Sequence, residues 1–137
     1  MLFRSGNDNK LKHLEFIQNT ITRMASNSFM LKGWCITIVS ALIALSIKES
    51  DYRLYLDAFI PTIIFWILDS YYLWLEKVFR DLYKDVSQKE ETEIDFLFTI
   101  KGYKHWKNFI KTIFWNPTTT VFYPSILLLL GLICAIA

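Results

Sequence analysis

Residues that commonly carry enzyme chemistry or bind metal ions are scarce in this chain of 137 residues, which has two histidines and two cysteines. His13 and His105 are far apart, and neither Cys35 nor Cys134 has a cysteine or histidine at metal-ligand spacing. The four glycines form no phosphate-binding loop, and no Ser-His-Asp arrangement is recognisable. The sequence therefore predicts a protein that is not an enzyme and has no catalytic residues, bound metal or cofactor.

Charge is also limited, and it is unevenly distributed. Charged residues make up 20% of the chain and the net charge is +2, which gives no support for nucleic-acid binding. Soluble domains are closer to about 25% charged and about 45–50% apolar, whereas this chain is 53% hydrophobic and 17% aromatic. A soluble helical bundle with an aromatic core is the alternative, but three nearly charge-free stretches favour a membrane protein.

These three stretches are candidate transmembrane helices. The first, GWCITIVSALIALSI, lies between Lys32 and Lys48, whose long side chains can reach the headgroups from within the bilayer. The second covers 58–75 and contains one charge, Asp69, while the third covers 121–137 and contains none. With their flanking residues, all three approach the length of about 20 residues that a spanning helix needs.

Basic residues beside the spans indicate the orientation, because they accumulate in cytoplasmic loops. Five precede the first span, two lie in the loop after it, and eight follow the second span. In these three groups they are Arg4, Lys10, Lys12, Arg23 and Lys32; Lys48 and Arg53; and Lys77, Arg80, Lys84, Lys89, Lys101, Lys104, Lys107 and Lys111. We therefore expect a multi-pass protein of the bacterial inner membrane with a cytoplasmic N-terminus. The C-terminus lies on the far side, unless 121–137 forms a re-entrant or interfacial helix.

Helical spacing of apolar residues continues beyond the first two spans. A helix over 10–47 would be ~57 Å long, which exceeds the bilayer core of about 30 Å, and a second helix over 58–86 extends in the same way. The short loop between them makes the two helices antiparallel neighbours. The predicted fold is therefore all-α, a single membrane domain over 1–137 whose first two helices project into the cytoplasm as a hairpin.

Two patterns on the first helix predict that copies of the chain associate. An apolar stripe follows the projecting part, where one hairpin buries little surface, so that the third element of the chain or another subunit must supply the missing surface. Small residues recur on the span, where they let helices approach closely. The predicted oligomer interface comprises Leu14, Ile17, Ile21, Met24, Gly33 and Ala41.

Residues 94–115 combine aromatic and basic side chains in a pattern typical of an amphipathic interfacial helix. Its predicted contacts with lipid headgroups are Lys101, Lys104, Lys107 and Lys111. A helix that packs on the hairpin and exposes its lysines to solvent is equally compatible with the pattern, and both arrangements can hold together. The basic residues favour lipid over nucleic acid as the partner, because the aromatic residues adjoin a span.

Asp69 is the most informative single residue, because a carboxylate within a span is costly and usually faces protein or water. It lies ~10 Å along a helix from Glu76, at a level similar to that of Lys32. The sequence leaves three roles open. Asp69 marks the headgroup boundary, forms a structural ion pair with Lys32, or faces a hydrated path that Thr37 and Ser40 help to line.

The strings HLEFIQNTITRMASNSFMLKGW and FWILDSYYLWLEKVFRDLYKDV resemble those of small prokaryotic inner-membrane proteins. A long helix entering a span, followed by a returning span that runs into a charged helix, also resembles transmembrane effectors of antiphage defence systems. The resemblance is architectural and covers roughly residues 13–86; the additional C-terminal span departs from it. It implies an oligomer that permeabilises or depolarises the inner membrane on activation.

Two functional hypotheses follow. The first is a homo-oligomeric effector or channel-like, pore-forming protein that permeabilises the inner membrane in antiviral defence. The alternative is a non-catalytic membrane anchor or accessory subunit that recruits a cytoplasmic protein partner through its projecting helices. In both hypotheses membrane lipids are partners and nucleic acid is not.

Overall fold

The computed structural model describes residues 2–94 and 106–136, and these residues form helices joined by short turns without any strand. In chain order the elements are α1 (Leu2–Glu49), α2 (Arg53–Asp57), α3 (Phe59–Gln88), a 3₁₀ turn (Glu91–Glu93), α4 (Trp106–Trp115) and α5 (Pro117–Ile136). The all-α prediction is thus confirmed for this part of the chain. The first helix begins earlier than the predicted residue 10, at Leu2.

Three helices are long and apolar enough to cross a membrane, namely α1, α3 and α5. They contain the three predicted spans, and they are compatible with a multi-pass membrane protein. With 48 residues, α1 is ~72 Å long, so that it extends well beyond a bilayer core of about 30 Å. With 20 residues, α5 is ~30 Å long and matches that thickness.

The first and third helices form an antiparallel pair. Residues near the start of α1 contact the end of α3, and residues near the end of α1 contact its start. The chain reverses at Ser50, whose φ of 53° is left-handed, a conformation common just after a helix end. Ser46, nearly buried, donates a hydrogen bond from Oγ to the carbonyl oxygen of Asp51 at 2.6 Å and fixes this turn.

Apolar side chains join the ends of α1 and α3 that lie beyond the spans. Ile17 and Ile21 are buried against Leu82 and Val86. Close by, Lys10 of α1 donates hydrogen bonds from Nζ to backbone carbonyls at the end of α3, at 2.8 and 3.2 Å. Lysine suits this position because the last carbonyls of a helix lack intrahelical donors. The projecting stripe of α1 is therefore covered within one protomer.

Helices α4 and α5 both pack on α3, which lies at the centre of the fold. From α4, Phe109 contacts Trp74 with ring centroids 5.6 Å apart, and the carbonyl oxygen of Ile113 accepts a hydrogen bond from Trp66 Nε1 at 3.2 Å. The chain leaves α4 at Asn116, and α5 starts with a proline, as is favourable at a first helical position.

Of the helix predicted over 94–115, the structure describes Trp106–Trp115 as helical, and 95–105 lie outside the described residues. Lys107 and Lys111 are exposed, while Lys101 and Lys104 are among the residues that are not described. The packing of α4 on α3 corresponds to one of the two arrangements that the sequence left open.

Candidate functional site: a buried polar cluster

Three polar side chains, two from α1 and one from α5, meet around Asp69 of α3, whose side chain is completely buried. Lys32 of α1 places Nζ 2.5 Å from Oδ2 of Asp69, and Tyr123 of α5 donates a hydrogen bond from its hydroxyl to the same oxygen at 2.9 Å. Ser28 of α1 donates to Oδ1. We call Ser28, Lys32, Asp69 and Tyr123 the polar cluster.

Helix geometry explains why these residues meet. Ser28 and Lys32 are four residues apart on α1 and therefore point to the same side of the helix. On α3, Asp69 lies ~10 Å before Glu76, and on α5, Tyr123 lies ~9 Å after Pro117, since an α-helix rises about 1.5 Å per residue. The two side chains are thus at similar distances from the ends of their apolar segments.

Every oxygen of the Asp69 carboxylate has a donor. Oδ1 accepts from Ser28, while Oδ2 accepts from both Lys32 and Tyr123. Nζ of Lys32 also donates to Oγ of Ser28 at 3.0 Å. A buried ion pair is tolerated when such hydrogen bonds satisfy its remaining atoms, and removal of one partner then costs about 3–5 kcal/mol. The cluster, in which one positive and one negative charge balance, therefore connects α1, α3 and α5 through hydrogen bonds.

Apolar and small residues enclose the cluster. The ring of Trp66 stacks on Tyr123 with centroids 6.3 Å apart and planes 10° from parallel. Thr62 is buried and donates from Oγ1 to the carbonyl oxygen of Ala58 at 2.8 Å. Cys35 lies buried as a free thiol in the apolar cluster that contains Tyr123. With Asp69 enclosed in this way, its carboxylate has no contact with solvent within the protomer.

The structure brings together two of the four polar residues that the sequence singled out within the membrane. Asp69 and Lys32 form an ion pair, whereas Thr37 and Ser40 are exposed and do not join it. The hydroxyl of Thr37 donates instead to the carbonyl oxygen of Gly33 at 2.9 Å. Any hydrated path that includes Thr37 and Ser40 must therefore run along the outside of α1.

Sequence reasoning missed Ser28 and Tyr123. Ser28 could have been found, because it lies one helical turn before Lys32 and faces the same way. Tyr123 could have been found from depth, since it is a hydrogen-bond donor at the level of Asp69. Tyrosine at a span end is common for another reason, its preference for the membrane–water boundary, and this preference hides the structural role.

The residues of the predicted oligomer interface fall into two groups. Ile17 and Ile21 are buried within the protomer, while Leu14 and Met24 are partly buried against the same helix pair. Gly33 and Ala41, in contrast, are exposed. A second copy of the chain can therefore reach the small residues of the span directly, but not the core of the projecting stripe. Of the six residues predicted for the oligomer interface, only Gly33 and Ala41 are thus directly accessible to a second copy.

In the described residues the fold is all-helical, and three helices of membrane-spanning length meet where a buried ion pair joins α1 to α3 and the Tyr123 hydroxyl of α5 binds the same carboxylate. In the part of the chain that the structure describes, no group of three His, Cys, Asp or Glu side chains could hold a metal ion. A scan against protein-family models and searches of curated proteins and of solved structures found no match to this chain.

Proposed function

We propose that the protein is a homo-oligomeric, channel-like membrane protein that permeabilises the membrane in which it resides. The observation that carries this proposal is the outer face of α1. Gly33, Thr37, Ala41 and Ala44 are exposed there, and they follow one another at helical spacing. Small residues on a spanning helix let a second helix approach closely and form van der Waals contacts that lipid tails do not replace.

This small-residue face of α1 (Gly33, Thr37, Ala41 and Ala44) lies opposite the buried side of the helix. At about 100° per residue, it is about half a turn away from Cys35, which packs inside the protomer. A Cβ atom added at Gly33 would meet nothing within 4 Å. The face is therefore free to receive another helix.

A shallow groove adjoins this face and supports the same proposal. It has a volume of about 130 Å³ and is lined by Asn27, Met30, Leu31, Trp34 and Tyr72. Beside it, Phe29 exposes 80% of its surface and Trp34 exposes 59%. Large apolar side chains next to a small-residue face give a second helix both a close contact and a rim to pack against.

A passage in this proposal lies between protomers. The polar cluster is closed within one protomer, so it offers no passage of its own, whereas the hydroxyls of Thr37 and Ser40 are exposed on the outer side of α1. Copies arranged around an axis would bring these hydroxyls toward one another. Polar side chains that line a pore replace part of the hydration of a passing ion.

We further propose the bacterial inner membrane as the location, with the N-terminus and the projecting ends of α1 and α3 in the cytoplasm. The distribution of basic residues supports this orientation. Single cysteines introduced at Tyr52 and Lys84, in a background without Cys35 and Cys134, should label from opposite sides of the membrane in intact cells. Labelling of both positions by a membrane-impermeant maleimide, or of position 84 alone, would refute this orientation.

The test of the proposed function is membrane potential during controlled expression. We expect the wild-type protein to depolarise the cells and Ala41→Leu to reduce depolarisation by about 5- to 100-fold, since overpacking commonly costs about 1–3 kcal/mol and 1.4 kcal/mol is a factor of ten. The matched control is Ala135→Leu, the same change at an exposed position of α5. Equal depolarisation by both variants, or none by the wild type, would contradict the proposal.

A second candidate function, a non-catalytic anchor, is favoured by the polar cluster itself. The hydrogen bonds to Asp69 are complete, as expected for a passive scaffold. Exposed apolar residues on the projecting half of α1, such as Leu11 at 58% and Phe16 at 60%, would then contact a cytoplasmic protein. Under this alternative, Ala41→Leu has no effect and Phe16→Ser releases the partner.

A further inference from the structure

A pocket of about 280 Å³ lies between α3 and α4, away from the polar cluster. Both helices supply polar side chains to its lining, and each helix also supplies one tryptophan. The lining residues used below are Trp74, Lys77 and Asp81 of α3 and Asn108, Lys111 and Trp115 of α4. Trp74 is only 2% exposed and forms the base of the pocket, whereas Trp115 is 78% exposed and lies at its rim.

The pocket carries a net positive charge. Lys77 and Lys111 contribute two ammonium groups and Asp81 one carboxylate, which leaves a balance of +1 among the lining side chains. Within 2–94 and 106–136, no ion pair involves either lysine. Two unpaired ammonium groups that line one pocket from two helices are suited to a phosphate, which accepts charge-assisted hydrogen bonds on several oxygens.

The pocket also lies at the depth of lipid headgroups. Lys77 is ~12 Å further along α3 than the buried Asp69, and Trp115 lies two residues before Pro117, where the spanning helix α5 begins. An exposed tryptophan at the end of a span is typical of the membrane–water boundary. Exposed apolar residues of α4, Ile110 and Phe114, lie next to the pocket in the sequence and offer a surface to acyl chains.

We propose that this pocket binds the phosphate of a membrane phospholipid headgroup. Lys77 and Lys111 hold the phosphate, and the amide of Asn108 donates an additional hydrogen bond. A volume just below the range of about 300–1,000 Å³ typical of small-molecule sites suits a headgroup whose acyl chains remain outside. Bound in this way, the lipid would fasten α4 to α3. This site does not depend on self-association of the chain, and its failure would leave the proposed function untouched.

The test is a lipid titration of the purified, delipidated full-length protein, read by native mass spectrometry. We expect one dioleoylphosphatidylglycerol to bind each protomer in preference to dioleoylglycerol, which lacks the phosphate. Loss of one charge-assisted hydrogen bond should weaken affinity by roughly tenfold or more, so Lys77→Gln and Lys111→Gln should each have that effect. Asp81→Asn should strengthen binding, because it removes a negative charge from the lining.

Exposed lysines outside the pocket provide matched controls. Lys84→Gln on α3 and Lys12→Gln on α1 remove the same charge at exposed positions outside the pocket and should leave affinity within about twofold, because charges about 10 Å or more away are largely screened. Weakening by the control variants as large as that by the pocket variants would overturn the proposal. Equal binding of dioleoylglycerol would overturn it too, as would displacement of the lipid by millimolar inorganic phosphate, which would indicate a site for soluble anions.

Discussion

Asp69→Asn should lower the free energy of unfolding by about 3–5 kcal/mol, the cost of removing one partner from a buried ion pair. The amide keeps the size of the carboxylate and can still accept hydrogen bonds, so the loss reports the charge of Lys32 left without a counterion. Unfolding by SDS in mixed micelles, followed by circular dichroism, measures this difference. The same reasoning applies to Lys32→Gln, which leaves the Asp69 carboxylate uncompensated.

The double variant separates charge pairing from simple loss of packing. Lys32→Gln combined with Asp69→Asn leaves neither charge buried, and it should recover much of the stability that either single variant loses. The solvent-accessible pair of Asp85 and Lys89, with atoms 2.9 Å apart at the end of α3, is the matched control, because pairs of this kind are worth only about 0.3–0.5 kcal/mol. Additive losses for Lys32 and Asp69 would show that the two charges do not interact.

Ion flux in liposomes, measured on the same variants, distinguishes structure from conduction. Since the Asp69 carboxylate is closed within the protomer, the double variant should assemble and conduct like the wild type once it is folded. A change in ion preference without any loss of stability would mean that Asp69 faces a hydrated passage. Unchanged stability and unchanged flux together would place Asp69 at a headgroup boundary, and both specific roles would be abandoned.

Ile17→Asp should destabilise the projecting part of the hairpin by an amount comparable to the effect of Asp69→Asn within the spans. Ile17 is completely buried among Ile21, Leu82 and Val86. Replacement of such a side chain by alanine costs about 2–5 kcal/mol, and an aspartate adds the cost of a polar group without a partner. We expect the projecting ends of α1 and α3 to separate while membrane insertion persists, because the spans are unchanged.

Limited proteolysis and hydrogen exchange of the projecting ends measure this separation. Phe16→Asp is the matched control, as Phe16 is the adjacent residue and 60% exposed, and it should leave protection of α3 unchanged. Equal protection in the Ile17 variant and the wild type would contradict the conclusion that α3 covers the apolar stripe of α1. Loss of protection in the Phe16 variant alone would indicate that the exposed side of α1, rather than the buried side, makes the contact that protects α3, and that this contact is with a partner.

The sequence was sufficient to predict the three long helices, because their signals are local. Nearly charge-free runs close to membrane length identified α1, α3 and α5, and a loop too short for any other arrangement made the first two antiparallel. Asp69 was recognisable for a similar reason, since a lone carboxylate in an apolar run needs a partner. Depth along a helix, at about 1.5 Å per residue, was enough to select Lys32 as a candidate.

The arrangement of the helices around one another was not predictable in the same way. Periodicity marked Ile17 and Ile21 as an apolar face, but a periodic face carries no information about which element covers it. The sequence interpretation assigned that face to a second copy, whereas Leu82, Val86 and Ile94 of the same chain cover it. The position of α5 beside Asp69 depends on packing between distant segments. The contact of Tyr123 could therefore be inferred only from its depth, and no pattern within its own segment indicated it.

The most direct test of the proposed function is the mass of the assembly extracted from native membranes in polymer nanodiscs without detergent. One chain has a mass of 16.2 kDa, and we expect a defined multiple of it by native mass spectrometry. Ala41→Leu should shift this mass toward the single chain, while Ala135→Leu should preserve it. A uniform population of single wild-type chains would contradict the account, because one protomer encloses its polar cluster and has no passage to offer.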